Sequence, residues 1–248
     1  MHLRSALGHL GKLRAKRVRK CQKWGKPRSG SVIKQKILVT GAAGYLGSIL
    51  CGRLLEAGYD VLALDNLFYG DCSLFHYCAE ADFDFVQGDT RDEALIRSLL
   101  PKVSAVIPLA AMVGVGACKG DPAMTRTVNL EAIQMISRLR SPEQLVVYPT
   151  TNSGYGTNSD EVFCTEETPL QPISLYGETK AQAEALLLES PNAICLRLAT
   201  VFGFSPRMRL DLLVNHFVHA ALTDRRAGVS GRSQGRPGVR AGGLGLAR

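Results

Sequence analysis

The stretch that most constrains this chain is residues 36–47, which read KILVTGAAGYLG. Its first half is apolar and β-branched, and its second half spaces three glycines as G-x-x-G-x-x-G before a run with helical character. A strand that enters a helix through such a turn presents backbone N–H groups to an anion. Gly41 serves the tight turn, Gly44 lets the backbone approach a phosphate, and Gly47 lets helix and strand pack closely. The stretch therefore predicts a pyrophosphate site.

The segment that follows favours a dinucleotide as the ligand. A predicted helix over 45–57 stops at Gly58, and a predicted strand over 61–64 ends in Asp65. An acid at about 20 residues past the first glycine accepts hydrogen bonds from the adenosine ribose and repels a 2′-phosphate. We therefore expect NAD rather than NADP, and the alternative for Asp65 is a helix-capping or turn residue.

The rest of the chain alternates strands with helices. Further strands are predicted at 83–86, 105–109, 144–148 and 193–198, and further helices at 92–100, 124–138, 176–189 and 210–222. This alternation predicts an α/β fold with a doubly wound parallel sheet, the Rossmann fold.

Charge divides the chain into three parts. The formal net charge is +8, but residues 1–36 hold twelve Lys or Arg and no acid, and residues 225–248 hold six Arg and no acid. The stretch between them is acidic, so a nucleic-acid-binding core is not expected. We predict a basic, disordered extension over 1–33, a cofactor-binding domain with the catalytic residues over 34–224, and a disordered or frameshifted tail over 225–248.

Cysteine usage and hydropathy bear on the setting of the protein. Seven scattered cysteines without a C-x-x-C pair indicate reduced thiols in a cytoplasmic protein rather than a disulfide framework or a zinc site. No apolar run approaches the ~20 residues that span a bilayer, so no membrane partner is expected. His216 and His219 have no metal partners at ligand spacing, and no metal is predicted.

Candidate catalytic residues follow the later strands. Tyr176 and Lys180 lie four residues apart, on one face of a predicted helix. A nearby ammonium stabilises a phenolate, lowers the pKa of the tyrosine, and can also bond a cofactor ribose. Thr151 follows a predicted parallel strand, at the sheet edge where ligands bind, and its hydroxyl can bond the substrate oxygen. The spacing Y-x-x-x-K is common by chance. The catalytic assignment of this pair therefore depends on its position shortly after Thr151 and the strand end.

Together these motifs resemble the extended short-chain dehydrogenase/reductases, in particular the NAD-dependent epimerase/dehydratase group that acts on nucleotide sugars. The matching pieces are GAAGYLG, the Asp65–Asn66 pair, Gly88–Asp89, Leu109–Ala110–Ala111, TTNSGYG at 150–156 and YGETK at 176–180. The resemblance implies that Thr151, Tyr176 and Lys180 are catalytic. It implies that the NAD site comprises Gly41, Gly44, Tyr45, Leu46, Gly47, Asp65, Asn66, Asp89, Thr90, Leu109, Ala110, Ala111, Asn129, Tyr176 and Lys180.

Two features narrow the reaction that the resemblance implies. The 4,6-dehydratases carry an Asp-Glu pair directly after the catalytic Thr, whereas this chain has Asn152 and Ser153, so dehydration is disfavoured. The segments IPLAAMVG, YPTTNSGYG and RLATVFGFSPRMRLDLLVN are similar to those of GDP-heptose 4-dehydrogenases. That similarity implies oxidation of a sugar C4 hydroxyl to a ketone, and it favours a GDP-sugar as the substrate.

Further substrate contacts are expected after the sixth predicted strand. Arg207 and Arg209 could each bind a diphosphate in a bidentate manner. A solvated or helix-capping role for these arginines is an equally supported alternative. Thr200 is placed to touch the sugar, and Asn215 is equally consistent with a solvated helix face. The full predicted substrate set is Thr151, Asn152, Thr200, Arg207, Arg209 and Asn215.

The resemblance ends near residue 222, so we expect a truncated or frameshifted chain in which the C-terminal substrate domain is largely missing. Three functions stay open: a dehydrogenase that releases NADH, an epimerase that returns the hydride to the sugar, and a non-catalytic NAD-binding fragment. Family members often form homodimers through two long helices, here 124–138 and 176–189, but the missing lid leaves dimerisation open. RNA or membrane binding by the basic flanks is disfavoured. Trp24 is the only aromatic residue that lies among their basic residues.

Overall fold

The computed structural model describes residues 35–70, 73–156 and 164–223. The predictions for 1–33 and 225–248 therefore concern residues outside these ranges.

Six strands form one parallel sheet: β1 Lys36–Thr40, β2 Asp60–Asp65, β3 Phe83–Gln87, β4 Ala105–Pro108, β5 Leu145–Thr151 and β6 Ala193–Leu198. Their order is β3-β2-β1-β4-β5-β6. In the centre, Ile37 of β1 lies opposite Val61 of β2 and Ala105 of β4. The order reverses direction between β1 and β4, which creates a crevice at the carboxyl ends of these strands. The predicted Rossmann fold is confirmed.

The helices are α1 Tyr45–Glu56, α2 Glu93–Leu99, α3 Val115–Gly120, α4 Pro122–Arg126, α5 Ala132–Leu139, α6 Leu175–Leu188 and α7 Leu213–Thr223. α4 continues into α5 through a π-helical turn, Thr127–Glu131. Short 3-10 turns lie at Phe75–Tyr77, Leu100–Lys102 and Asn152–Tyr155. No helix in the described part of the chain is both long and apolar enough to cross a membrane.

Helices cover both faces of the sheet because the central strands are apolar on both sides. Ile37 of β1 belongs to a core cluster with Cys51 of α1. The next residue, Leu38, faces the opposite side and belongs to a cluster with Ile96 of α2 and Ile136 of α5. Successive side chains of a strand point to opposite faces, so this alternation accounts for the doubly wound arrangement.

Polar side chains cap the N-termini of three helices. Asp92 accepts a hydrogen bond from Leu95 N at 3.0 Å, and Asp121 accepts one from Met124 N at 2.8 Å. Ser174 caps α6 in the same way. Such caps satisfy N–H groups that have no partner within the helix, and they fix where α2, α4 and α6 begin.

Three elements differ from the sequence-based predictions. The helix predicted over 124–138 begins at Pro122, after the cap by Asp121, and contains the π-helical turn. No helix was predicted between the strand at 105–109 and the helix at 124–138, but the structure has α3 there over Val115–Gly120. β5 continues to Thr151 because its last residues pair with β6, as Thr151 does with Leu198.

β4 and β5 pair only where Ala105 meets Leu145 and Val106 meets Val146. Each strand carries a proline beyond these residues, Pro108 and Pro149, and proline has no N–H to give to a ladder. The two strands therefore part toward their carboxyl ends, on the side of the sheet where Thr151 lies.

A salt bridge ties β6 to α6. Arg197 Nε donates to Glu184 Oε1 at 2.7 Å, and the two side chains are 18% and 4% exposed. Breaking a buried ion pair from one side leaves an uncompensated charge.

We expect Arg197→Ala to lower the free energy of unfolding by about 3 kcal/mol, because Glu184 would stay buried without its cation. Urea denaturation followed by circular dichroism measures this change. The control is Arg53→Ala, which removes the exposed pair with Glu56 and should cost less than about 1 kcal/mol. An equal loss in the free energy of unfolding for the two variants would contradict the assignment of Arg197 and Glu184 as a stabilising buried ion pair.

Candidate active site

The site begins at the turn between β1 and α1. Gly41 has a φ of +68°, and a Cβ there would lie 2.5 Å from the backbone N of Ala110. A Cβ on Gly47 would lie 2.3 Å from the carbonyl O of Gly41. Both distances are too short for any real side chain, so packing of backbone on backbone requires glycine at these two positions.

The N-terminus of α1 is open to an anion. Gly44 is its N-cap and offers no side chain to the first N–H groups. Tyr45, Leu46 and Gly47, which follow, line the cleft. Unpaired N–H groups and the positive end of the helix dipole favour a phosphate at such a place, so these residues fit the pyrophosphate of NAD.

Asp65 ends β2 beside this turn and holds it in place. Its Oδ2 accepts a hydrogen bond from Ala43 N at 2.9 Å, and its Oδ1 accepts one from Leu67 N at 2.8 Å. A carboxylate accepts about four hydrogen bonds, which leaves capacity for ribose hydroxyls. Asp65 and Asn66 both line a cavity of about 120 Å³, and this placement fits the adenosine end of NAD.

Asp89 and Thr90 follow β3 and line the same cavity. The Asp89 carboxylate holds the guanidinium of Arg91, with Nε–Oδ1 at 2.9 Å and Nη2–Oδ2 at 2.6 Å. This bond to Arg91 keeps the pKa of Asp89 below its usual value. An ionised acceptor in this cavity fits the place of Asp89 in the NAD site that the resemblance implies.

Residues 109–111 continue from β4 as a wall of the cavity. Asn129 holds the end of this wall from behind: its Oδ1 accepts a hydrogen bond from Met112 N at 2.8 Å, and its Nδ2 donates to Met112 O at 2.9 Å. Asn129 is buried within the π-helical turn. The sequence analysis expected this amide to line the groove, and the structure places it behind the groove as a support.

The three predicted catalytic side chains meet where β5 and α6 adjoin. Thr151 ends β5, Tyr176 lies in the first turn of α6, and Lys180 lies one turn later. Thr151 Oγ1 accepts a hydrogen bond from Ser153 N at 3.1 Å, which leaves the hydroxyl proton of Thr151 available for donation. The side chain of Thr151 is within hydrogen-bonding reach of Tyr176.

Burial raises the pKa of Tyr176, and the hydrogen bond with Thr151 and the charge of Arg209 only partly offset this rise. A lowered pKa through the ammonium of Lys180 was expected for Tyr176, and the structure gives the opposite direction.

The reason for this difference is the position of Lys180. Its Nζ lies 3.9 Å from the centroid of the Tyr148 ring, whose π face attracts an ammonium. Burial lowers the pKa of Lys180 to about 7, against the opposing charges of Cys195 and Glu184. The amine is therefore only partly charged near neutral pH, and its influence on Tyr176 is small.

These side chains open onto a cleft of about 760 Å³ that shares Gly41, Gly44 and Leu109 with the smaller cavity. The cleft brings together the catalytic residues with most of the predicted substrate residues. The predicted substrate residues that line it are Thr151, Asn152, Thr200, Arg207 and Arg209.

The two arginines make different contacts within this cleft. The guanidinium carbon of Arg207 lies 4.3 Å from the centroid of the Tyr69 ring. Arg209 forms a salt bridge with Asp211, and its Nε donates to Asp211 Oδ1 at 3.1 Å. A diphosphate bound here would contact the Arg207 guanidinium, which stacks on the Tyr69 ring, and the Arg209 guanidinium, which is paired with Asp211.

Asn215 lies behind the cleft and is 5% exposed. Its Oδ1 accepts a hydrogen bond from Gly203 N at 2.9 Å, and its Nδ2 donates to Arg209 O at 3.0 Å. The amide thus holds the segment that carries the arginines, and a direct contact with substrate stays a prediction.

The sequence analysis did not anticipate Tyr69 and Tyr148. Tyr69 lies four residues after Asp65, the acid expected to bind the adenosine ribose. Its position in that loop was the one sequence feature that could have indicated a place in the site. Tyr148 alternates with Thr150 on one buried face of β5, and the period of a strand places it beside α6. Tyr148 is the first residue of the segment YPTTNSGYG, which was used for its resemblance and not for a role of this tyrosine, and Tyr69 belongs to none of the motifs.

Comparisons with known proteins agree with this geometry. Residues 37–234 match the family model for the NAD dependent epimerase/dehydratase family. The uncharacterized UDP-glucose epimerase YtcB of Bacillus subtilis is 32% identical over 215 residues, which cover 80% of this chain and 66% of that protein.

Two solved structures share the fold. A UDP-glucuronic acid 4-epimerase from Bacillus cereus, in complex with UDP-glucuronic acid and NAD, has a TM-score of 0.67 and 28% identity, over 77% of this chain and 64% of that chain. The dTDP-glucose 4,6-dehydratase DesIV from Streptomyces venezuelae, with NAD and TYD bound, has a TM-score of 0.68 and 27% identity, over 76% of this chain and 62% of that chain.

The chain thus spans less than two thirds of the length of each of these three proteins. The NAD dependence of the family agrees with the cofactor that Asp65 predicts. Because the family match covers well over half of the chain and includes Thr151, Tyr176 and Lys180, the chain belongs to the NAD dependent epimerase/dehydratase family.

Proposed function

We propose that this chain carries out the NAD-dependent oxidation of a hydroxyl group of a nucleotide sugar, at C4, to a ketone. The observation that supports it is the meeting of Thr151, Tyr176 and Lys180 in a cleft that adjoins the glycine turn. A phosphate-binding helix N-terminus and an acid–base pair at one sheet edge suit hydride transfer to a dinucleotide.

The residues of the site suit the two halves of this oxidation. When bound, NAD supplies the nicotinamide that accepts the hydride. The Thr151 hydroxyl, whose lone pair is engaged by Ser153 N, donates a hydrogen bond to the sugar oxygen and orients it. Tyr176, as the phenolate, takes the proton of the sugar hydroxyl while the carbon–hydrogen bond breaks, so the oxygen becomes a carbonyl. When the Lys180 amine carries its proton, the ammonium stabilises that phenolate against the burial that raises the pKa of Tyr176.

An epimerase is the second candidate, and the relatives favour it. YtcB and the Bacillus cereus protein are both named as epimerases. An epimerase uses the same oxidation, turns the ketone over, and returns the hydride. Dehydration has less support even though DesIV is a dehydratase, because the two residues after Thr151 are Asn152 and Ser153, which cannot act as an acid–base pair.

The nucleotide, the oligomeric state and the compartment belong to the same proposal. The residue resemblance favours a GDP-sugar, whereas the named relatives act on UDP- and dTDP-sugars. Resemblance to the family supports a homodimer through the helical segments 124–138 and 176–189. The scattered cysteines support a cytoplasmic setting.

Incubation with NAD and a panel of GDP-, UDP- and dTDP-sugars tests the reaction class. For a dehydrogenase, absorbance at 340 nm rises in proportion to the ketone formed. For an epimerase, chromatography shows an epimeric sugar and absorbance stays constant. Measurable NAD binding with neither product would support the non-catalytic fragment, and the proposed oxidation would then be wrong.

The second prediction concerns the acid–base pair. Tyr176→Phe and Thr151→Ala should each lower kcat by about 10³-fold, because each removes a group that handles the proton or the sugar oxygen. The control is Thr223→Ala, which removes a hydroxyl that donates to His219 O within α7. Loss of activity in the control to the same extent would show that general instability explains the result.

The third prediction concerns Lys180 and pH. Its pKa is about 7 in the folded chain against an ordinary lysine pKa of 10.5, so between these values the unfolded chain binds more protons. The free energy of unfolding should therefore rise with pH across this window, by up to about 1.4 kcal/mol per pH unit. Below pH ~7 both states are protonated and the cost of burying the charge is present in full.

Urea denaturation at pH 7.5 and 8.5 measures this rise, and Lys180→Met should remove it. The exposed Lys102 supplies the control: Lys102→Met should keep the pH dependence of the unchanged chain. The same slope in Lys180→Met and in the unchanged chain would contradict the assignment.

A further inference from the structure

A hydrogen-bond network fastens the segment 203–215 to α1. The Tyr45 hydroxyl donates to Gly203 O at 2.6 Å and accepts from Asn215 Nδ2 at 3.0 Å. Ser205 Oγ donates to Tyr45 O at 2.8 Å and lies 3.0 Å from Ser48 Oγ. Four hydrogen-bonded contacts thus join two parts of the chain that are far apart in sequence.

The same network holds the backbone of both cleft arginines. Ser205 Oγ accepts a hydrogen bond from Arg207 N at 3.2 Å, and Asn215 Nδ2 donates to Arg209 O at 3.0 Å. Each arginine is therefore one hydrogen bond away from a residue that Tyr45 holds directly.

Tyr45 is also the first residue of α1, directly after Gly44 of the phosphate-binding turn. Its side chain therefore connects the end of the cleft that fits the cofactor pyrophosphate with the end that carries Arg207 and Arg209. Its hydroxyl proton and a lone pair are both in use, so Phe at this position would break both bonds and keep the ring.

We propose that the Tyr45 hydroxyl is a positioning group for the nucleotide sugar: it fixes the segment 203–215, and through it Arg207 and Arg209, for contact with the substrate diphosphate. This inference rests on the proposed function for its ligand, but the positioning itself concerns the protein alone. The Tyr45 hydroxyl thereby has a role distinct from that of the Tyr45 backbone N–H, which belongs to the cofactor turn.

The first measurement is hydrogen–deuterium exchange of the full chain without ligand. Tyr45→Phe should speed exchange of the amides at 203–209 about tenfold, because it removes hydrogen bonds that hold this segment closed. The matched control is Tyr77→Phe. Tyr77 also donates its hydroxyl proton to α1, to Ser48 O at 3.2 Å, so that proton is not used to hold the segment 203–215. Unchanged exchange in Tyr45→Phe, or equal acceleration in both variants, would overturn the proposal.

The second measurement separates substrate from cofactor. With the nucleotide sugar that the panel identifies, Tyr45→Phe should raise KM about tenfold and should raise the Kd of NAD by a clearly smaller factor. A weakened Kd for NAD with an unchanged KM would assign the hydroxyl to the cofactor and overturn the proposal. If the unchanged chain turns nothing over, the proposed function fails, and hydrogen exchange alone decides the positioning role.

Asn215→Asp provides a second variant if Tyr45→Phe folds poorly. It keeps the acceptor for Gly203 N and loses both donations by the amide. The same acceleration of exchange at 203–209 is expected, and normal exchange would contradict the network as the cause.

Discussion

The close approach of two backbone turns determines where the rest of the site lies. Gly41 after β1 is so near the segment after β4 that a Cβ would meet Ala110 N at 2.5 Å. This contact brings the phosphate-binding turn and the cavity wall together at the point where the strand order reverses. Asp65 secures the same turn from β2 through Ala43 N. Backbone geometry therefore defines the cofactor cavity, and side chains add selectivity to it.

The catalytic half of the cleft depends on a different feature, the parting of β4 from β5. These strands stop pairing after Val106 and Val146, and residues beyond them, such as Leu109 and Thr151, line the cleft. A continuous ladder would close this space. The divergence lets Thr151 stand at the end of a strand and still face Tyr176, so the strand geometry supplies both the rigidity and the opening that the chemistry needs.

Sequence patterns predicted the features that depend on local spacing. The glycine turn, the alternation of strands and helices, and the pair Tyr176 and Lys180 were found because each is marked by residues close in sequence. The positions of Asn129 and Asn215 could not be predicted, since nothing local distinguishes a buried amide from a solvated one on a helix. The bond between the Tyr45 hydroxyl and Gly203 spans 158 residues, and only the folded sheet brings these groups together.

The burial of Lys180 against the Tyr148 ring also affects the reactivity of its amine. A lysine is nucleophilic only as the free amine, and a pKa of about 7 gives Lys180 a large amine fraction at a pH where an ordinary lysine is protonated. The side chain is buried and lines the cleft, so an acylating reagent must enter by the route that a ligand takes. Selective labelling of Lys180, and its suppression by a bound molecule, would therefore report occupancy of the cleft without any turnover.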